Sequence, residues 1–421
     1  MSTDAHSITI VKANWRQLAQ FFKLRLRSSL ITISFITVNN KNNLHLTKGR
    51  KMKKLLVIAV ALASVNAFAT RARVNALANS PHLVDAQTVY TNPADMFVLG
   101  GDYVTIESGN TDATTLNDGA EGMVVRSMGD AKMGLSLGHD SKNAYTTRMA
   151  AMAPVAAGGL NLFPAKSKYL QQNPIELSYG MKSGDVSWAG TLVYSKFQSK
   201  TGINEKEDTM GLKGGMRMGA IDAYLGLGLS NNYQNDTDGK FKGTLGLLVG
   251  AGYQMDNMYF NGTVTSTGFK TEDIQAKETS KMELTQIELK ATTSHKKDGS
   301  EFFYGAGLTS YTAKETVADT KQTDMYLPVW MGLEVDANSW MTLRGSITQN
   351  VLLDSHKTEA AGVAVAETNP GANNTQAAVG VGLKFNKVTV DGSLQGLTGT
   401  TQDQRIAGDK LLGNVGLTYM F

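Results

Sequence analysis

The sequence predicts an all-β chain: a transmembrane antiparallel up-and-down β-barrel of about 16 strands, with 18 as the alternative. Three observations predict it. Apolar residues recur at every second position, segment after segment, from about residue 120 to the C-terminus. The connections between segments alternate short and long, as they do in a meander around a ring and not in a Greek-key sandwich. The chain also ends on an alternating aromatic strand, "NVGLTYMF", in which Val415, Leu417, Tyr419 and Phe421 share one face.

Composition agrees. The 421 residues include no Cys, which excludes disulfides and thiol chemistry. Gly is abundant at 43 and Pro scarce at 7. The chain is mildly polar overall, which excludes a bundle of transmembrane helices.

Near the start, Met52–Ala69 reads "MKKLLVIAVALASVNAFA". Lys53 and Lys54 form a basic head, Leu55–Ala63 an apolar run too short to span a bilayer, and Ala67 and Ala69 a small-x-small cleavage site. We expect a secretory signal peptide over 52–69. Residues 1–51 are basic and resemble no domain. The purine-rich codons that "KGRK" admits before Met52 suggest translated upstream sequence, with a basic N-terminal extension as the alternative. Residues 1–69 hold 11 of the 41 bases and 1 of the 37 acids, leaving 30 bases and 36 acids in 70–421. The mature chain is mildly acidic, so charge offers no case for nucleic acid. Residues 70–110 form an N-terminal segment, either a plug or a first strand, and 111–421 the barrel.

The strand candidates follow in order. Upstream lie "GDYVTIES", "EGMVVRSM", "AKMGLSLG" and "YTTRMAAM"; about thirteen more run from Ile175 to Phe421. That makes 16 or 17, and an even count makes one superfluous, either "GDYVTIES" or the "GLNLF" region. The clearest segment is "MYLPVWMGLEV", with Met325, Leu327, Val329, Met331, Leu333 and Val335 on one face. Short turns are expected near 182–185, 219–220, 254–257, 295–300, 336–339 and 386–387. Long polar loops are expected at 196–207, 231–240, 269–281, 312–322, 350–374 and 398–410. The apolar Ala/Val stretch of 350–374 makes it the candidate for an inward-folded constriction.

If the apolar set faces lipid, its alternate faces the lumen, because a Lys or Arg at the bilayer midplane costs roughly 2–4 kcal/mol. That register places Arg126, Lys132, Arg148, Lys213, Arg217, Lys290, Arg344 and Lys384 inside, with Glu176, Asp222, Glu288, Glu334 and Asp391. Glu334 with Arg344, and Lys384 with Asp391, read as cross-strand pairs. The excess of bases suggests a slight anion preference. Trp188, Tyr194, Tyr253, Tyr259, Tyr326, Trp340, Tyr419 and Phe421 fall near strand ends, as interfacial girdles require, with Tyr326 on the polar register and so also a candidate for the pore lining. The Gly-x-Gly pairs lie inside strands, where Gly keeps the lumen face small. No metal-ligand spacing is present, and Asp354-Ser355-His356 is a polar loop cluster; no enzyme and no cofactor is expected.

Two resemblances follow from these residues. The alternating aromatic terminus, Val415, Leu417, Tyr419 and Phe421, resembles the assembly signal of bacterial outer-membrane barrels, which implies recognition by periplasmic chaperones and the barrel-assembly machinery. "NALANSPHLVDAQTVYTNPADMFVLGGDYVTIESG", Asn75–Gly109, and "VWMGLEVDANSWMTLRGSITQN" resemble the major outer-membrane proteins of predatory bdellovibrios. That implies an abundant, porin-like Gram-negative outer-membrane protein in contact with outer-membrane lipid and lipopolysaccharide. Asn92-Pro93-Ala94 is similar to the NPA of long-chain fatty-acid and toluene transporters, which hints at a lumen plug. The expected function is a porin-like channel for passive diffusion of small hydrophilic solutes and ions. A plugged transporter of hydrophobic solutes and a structural barrel without an open pore are the alternatives. Solute, pore size and a monomeric or homo-oligomeric state stay open.

Overall fold

The computed structural model describes residues 70–110, 118–139, 174–398 and 406–421, excepting 203, 238, 276, 318, 353–355, 361–362 and 368–374. Its strands are Tyr103–Asn110 (β1), Asp118–Met128 (β2), Ala131–Leu137 (β3), Ile175–Ser183 (β4), Val186–Ser199 (β5), Glu205–Met218 (β6) and Ile221–Asn235 (β7). Then come Gly239–Gly243 (β8), Gly246–Met255 (β9), Met258–Glu272 (β10), Glu278–Lys297 (β11), Ser300–Glu315 (β12) and Thr320–Asn338 (β13). The last are Met341–Leu352 (β14), His356–Ala360 (β15), Val363–Glu367 (β16), Thr375–Phe385 (β17), Val388–Thr398 (β18) and Ile406–Met420 (β19).

Every pairing is antiparallel, and β1 closes the ring on β19 from Tyr103↔Met420 to Gly109↔Asn414. β8 and β9 share both neighbours, β14 and β15 share β13, and β17 pairs with β14 as β16 does with β15, so β8 with β9, β14 with β15 and β16 with β17 are each one stave broken in two. The nineteen segments therefore make a closed barrel of sixteen staves. "GDYVTIES", suspected of being superfluous, is the seam stave β1. "YTTRMAAM" and "GLNLF" lie outside the described residues.

The alternation has a direct physical reading in β5. Ser187, Ala189, Thr191, Val193 and Ser195 are buried toward the interior, while Trp188, Leu192 and Tyr194 are exposed outside. Ile106 and Leu289 remain 59% and 56% exposed, and apolar side chains at such exposure recur outside nearly every stave. An outward apolar band around a closed sheet is a surface built for lipid. Val415, Leu417, Tyr419 and Phe421 belong to that band, with Tyr419 and Phe421 in edge-to-face contact at 5.3 Å.

One rim carries two-residue turns. Gly184 at φ +58° and Gly299 at φ +75° take the left-handed conformation that such hairpins need. The opposite rim differs from expectation. Strands run through most of the segments expected to be long loops, so β11 has 20 residues and β13 has 19. Beyond the bilayer both faces are wet, so the apolar period vanishes while the backbone ladder continues. Within 350–374, β15 pairs with β13 and β16 pairs with β15, which extends the wall.

Candidate functional site

The interior of the short-turn half is filled by residues 70–101. A one-and-a-half-turn helix, Arg71–Ala76 (α1), is followed by 3-10 turns at Thr88–Tyr90 and Pro93–Phe97. Pro93 starts the second turn with a preset φ, and the Asn92 side chain accepts from Ala94 N. The segment is apolar enough to carry its own core. Ala86, Val89, Tyr90, Met96 and Leu99 pack on Tyr103, Met123, Val125 and Ala189, which point inward from the wall.

Polar bonds tie this plug to staves on all sides of the ring. Lys132 of β3 donates to the carbonyls of Met96 (2.7 Å), Leu99 (2.9 Å) and Gly101 (3.1 Å). Arg217 of β6 donates to Asp95 (2.5 Å). Arg71 and Gln87 donate to the Glu107 and Glu121 carboxylates of β1 and β2. Tyr90 stacks on His139 at 3.5 Å, and its hydroxyl lies 2.7 Å from Ser136. Trp330 Nε1 donates to Ser80 Oγ (3.0 Å), which also lies 2.9 Å from His82 Nδ1; His82 Nε2 lies 3.0 Å from Glu301. This hydroxyl–imidazole–carboxylate row latches a turn: the indole and Thr292 both engage Ser80.

The densest knot joins β13, β14 and β18. Arg73 Nε donates to Glu334 (2.8 Å), Arg344 Nε donates to Glu334 (2.5 Å), and Arg344 Nη1 donates to Asp391 (2.6 Å). The Arg344 and Asp391 side chains are fully buried.

The wall leaves room for the plug with glycines. A Cβ on Gly416 would lie 2.3 Å from Thr70 Cβ, one on Gly215 2.0 Å from Asn92 Oδ1, and one on Gly380 2.6 Å from Ala76 Cβ. Small residues on the lumen face are the seat of a segment, rather than the margin of an open channel.

Most predicted lumen residues are inside, but they bind the plug or each other rather than form a charged ring. Glu334 and Arg344 face across β13 and β14 as expected. Lys213 is buried against Glu176 at 2.7 Å, and Lys290 pairs with Glu288 at 3.0 Å. Four assignments change. Lys384 lies opposite Thr389, so it pairs with Asp336 (3.1 Å) and leaves Asp391 to Arg344. Arg126 lies on the outer register, 62% exposed, ion-paired with Asp102 and set over the Phe421 ring. In β2 the inward positions are Glu121, Met123 and Val125, because the interior there is an apolar core and apolar no longer means lipid. Tyr259 points inward and donates to Asp222 (2.8 Å) rather than joining a girdle. Of the expected constriction at 350–374, the described Val363–Glu367 runs as a strand paired with β15, and 353–355, 361–362 and 368–374 lie outside the described residues. Arg148, Ala67 and Ala69 lie outside the described residues.

Asp85 is a sensitive point in the plug. Its Oδ1 accepts from Gln87 N (2.8 Å), while Oδ2 has no hydrogen-bond partner among the described residues and lies 3.8 Å from Arg73. Burial pushes this carboxyl up to about 7, against the pull of Arg73 and with a further push from Asp391. A carboxyl raised above its ordinary 3.8 binds its proton more tightly in the docked plug than in a released one. Its contribution therefore favours docking below about pH 4, declines between about 4 and 7, and is least favourable above 7. Trypsin access to Arg71 and Arg73 is expected to rise between pH 5 and pH 8, and Asp85→Asn is expected to flatten that rise.

Between the plug and staves β6 to β13 lies a cavity of about 690 Å³. Thr, Tyr, Asn and Gln supply much of its lining, together with Val74, Leu83, Leu248 and Leu284, and more of the lined surface is apolar than polar. The lining acids are Asp95, Asp222, Glu288 and Asp324, against two bases, Arg217 and Lys290, so acids outnumber bases around this space.

A closed sixteen-stave antiparallel barrel with a lipid-facing apolar band and an internal segment defines a transmembrane β-barrel of the bacterial outer-membrane type. No family model and no curated protein matches the chain. Solved structures do. A Pseudomonas aeruginosa FadL homologue matches at 10% identity over 84% of this chain and 98% of its own, TM-score 0.42. A porin matches at 8% identity over 76% and 99%, TM-score 0.35, and the P. putida toluene transporter TodX at 9% over 83% and 98%, TM-score 0.36. At this distance the likeness is one of barrel fold alone.

Proposed function

We propose that this chain is a non-enzymatic bacterial outer-membrane channel, closed at rest by residues 70–101, that admits small polar solutes through the cavity beside the plug. The observation that carries this reading is the circle of bonds from the plug to β1, β2, β3, β6, β12 and β13. A segment bonded to the wall on so many sides supports a lumen obstructed at rest over a general diffusion pore. Six charged side chains and several hydroxyls in the cavity favour a solute with polar groups, since a wholly apolar ligand would strip them of water without replacing their hydrogen bonds. Outer-membrane lipid, lipopolysaccharide and the assembly machinery are the partners this reading requires.

The test is single-channel conductance in planar bilayers for residues 70–421 and for the same chain lacking 71–100. The intact protein is expected to show little steady current, and the deletion large ohmic steps, because a sixteen-strand barrel is wide enough for an aqueous lumen once emptied. Large steady steps from the intact protein would mean that the plug does not close it. Silence from a folded, heat-modifiable deletion would mean that the barrel has no through path.

A further inference from the structure

The cavity beside the plug contains polar atoms that the protein itself does not satisfy. Tyr311 Oη, Thr267 Oγ1 and Asn92 Nδ2 are buried, line this space and have no hydrogen-bond partner among the described residues. Thr267 and Asn92 are 5% and 3% exposed. Buried polar atoms of this kind are costly unless something bonds them. Two are hydroxyls, able to donate and accept at once, and the third is an amide donor. They sit on opposite sides of the space: Asn92 on the plug, Thr267 and Tyr311 on staves β10 and β12.

The lining's charged groups are already engaged: Arg217 donates to Asp95 and Lys290 pairs with Glu288, while Asp222 accepts from the Tyr259 hydroxyl and Asp324 from the Gln322 amide, so an occupant need not bring a charge of its own. Tyr311 also packs against an inward apolar cluster that includes Phe241 and Phe269, stacked at 5.0 Å. Phe241 and Phe269 lie behind the lining, which itself presents the rings of Tyr224, Tyr259, Tyr311 and Tyr326, so a ligand here meets hydroxyl groups and ring faces together. At about 690 Å³ the space falls inside the roughly 300–1,000 Å³ range of small-molecule sites.

We propose that this cavity is a binding site for a small neutral polyhydroxylated solute, in chemical class a mono- or disaccharide. Each sugar hydroxyl both donates and accepts, and the C–H faces of the ring suit the aromatic side. The proposal deepens the channel reading, since it names the solute class the cavity would take.

The experiment is equilibrium binding by calorimetry to the intact 70–421 barrel in detergent, with glucose and maltose as probes and choline chloride and sodium phosphate as comparisons. Saturable binding of glucose or maltose, weakened about 10-fold or more in a Thr267→Val, Tyr311→Phe variant that folds normally, is the expected result. No saturable sugar binding, undiminished binding in the variant, or tighter binding of choline or phosphate would overturn it. Equilibrium binding needs no open path. A barrel that binds sugar yet conducts nothing after plug removal defeats the channel reading alone; one that conducts after plug removal yet binds no sugar defeats this proposal alone.

Discussion

Arg344→Met is expected to destabilise the plugged barrel by about 3–5 kcal/mol, the range for removing one partner of a buried ion pair. Arg344 is the centre of a four-residue knot and its side chain is fully buried. Without it, Glu334 keeps only Arg73, and Asp391 keeps the Thr70 hydroxyl at 3.5 Å. Two carboxylates buried with half their cations must be resolvated, and moving α1 is the route that brings water to them. The measurement has two readings, the unfolding temperature from heat-modifiability and the rate of tryptic cleavage at Arg71 and Arg73. Both are expected to change, the second more than the first, because the sheet's own ladder is untouched. An unaltered cleavage rate would show that the knot does not hold the plug.

The second large effect comes from glycine. Val at both Gly215 and Gly380 is expected to raise steady conductance about ten-fold or more while leaving the barrel closed. Each added side chain begins with a Cβ inside the space of Asn92 or Ala76. The strand itself loses nothing, since Val is a better strand residue than Gly. Steric displacement without removal of any charge separates seating of the plug from its electrostatic anchorage. A folded double variant as silent as the parent would mean that the lumen is blocked elsewhere.

The wall was legible in the sequence because it is a one-dimensional code: lipid on one side and water on the other give each stave a period of two. Where that contrast fails, the reading fails with it. In β2, Met123 and Val125 face a plug rather than water, so Arg126 was assigned to the wrong side. In β11 and β13, both faces are wet beyond the bilayer and the strands looked like loops. A short turn alone leaves the register of β17 on β18 open by a residue or two, and the ladder sets Asp391 opposite Gly382 rather than Lys384. The partners on the plug were harder to find. Arg73, His82, Asp85 and Asp95 sit in a segment without any period, and only three-dimensional closure brings them to Glu334, Glu301 and Arg217. The glycines offered the one available signal: small residues repeated on an inward face mark where something must approach closely.

The seam between β1 and β19 has a consequence for how the molecule is made. It joins a strand near the start of the described chain to the strand at its end, whereas nearly every other pairing joins neighbours in sequence. Contact order is therefore low along the wall and extreme at one place, and the entropy of closing that loop falls on a single step. The plug immediately precedes β1, so the strand that completes the circle is tethered to the segment that fills it. The plug's bonds to β13 and β18 tie the start of the described chain to its late staves, which shortens the loop the seam must close. Loosening those bonds is therefore expected to slow circularisation, read as a slower gain of heat-modifiability on refolding.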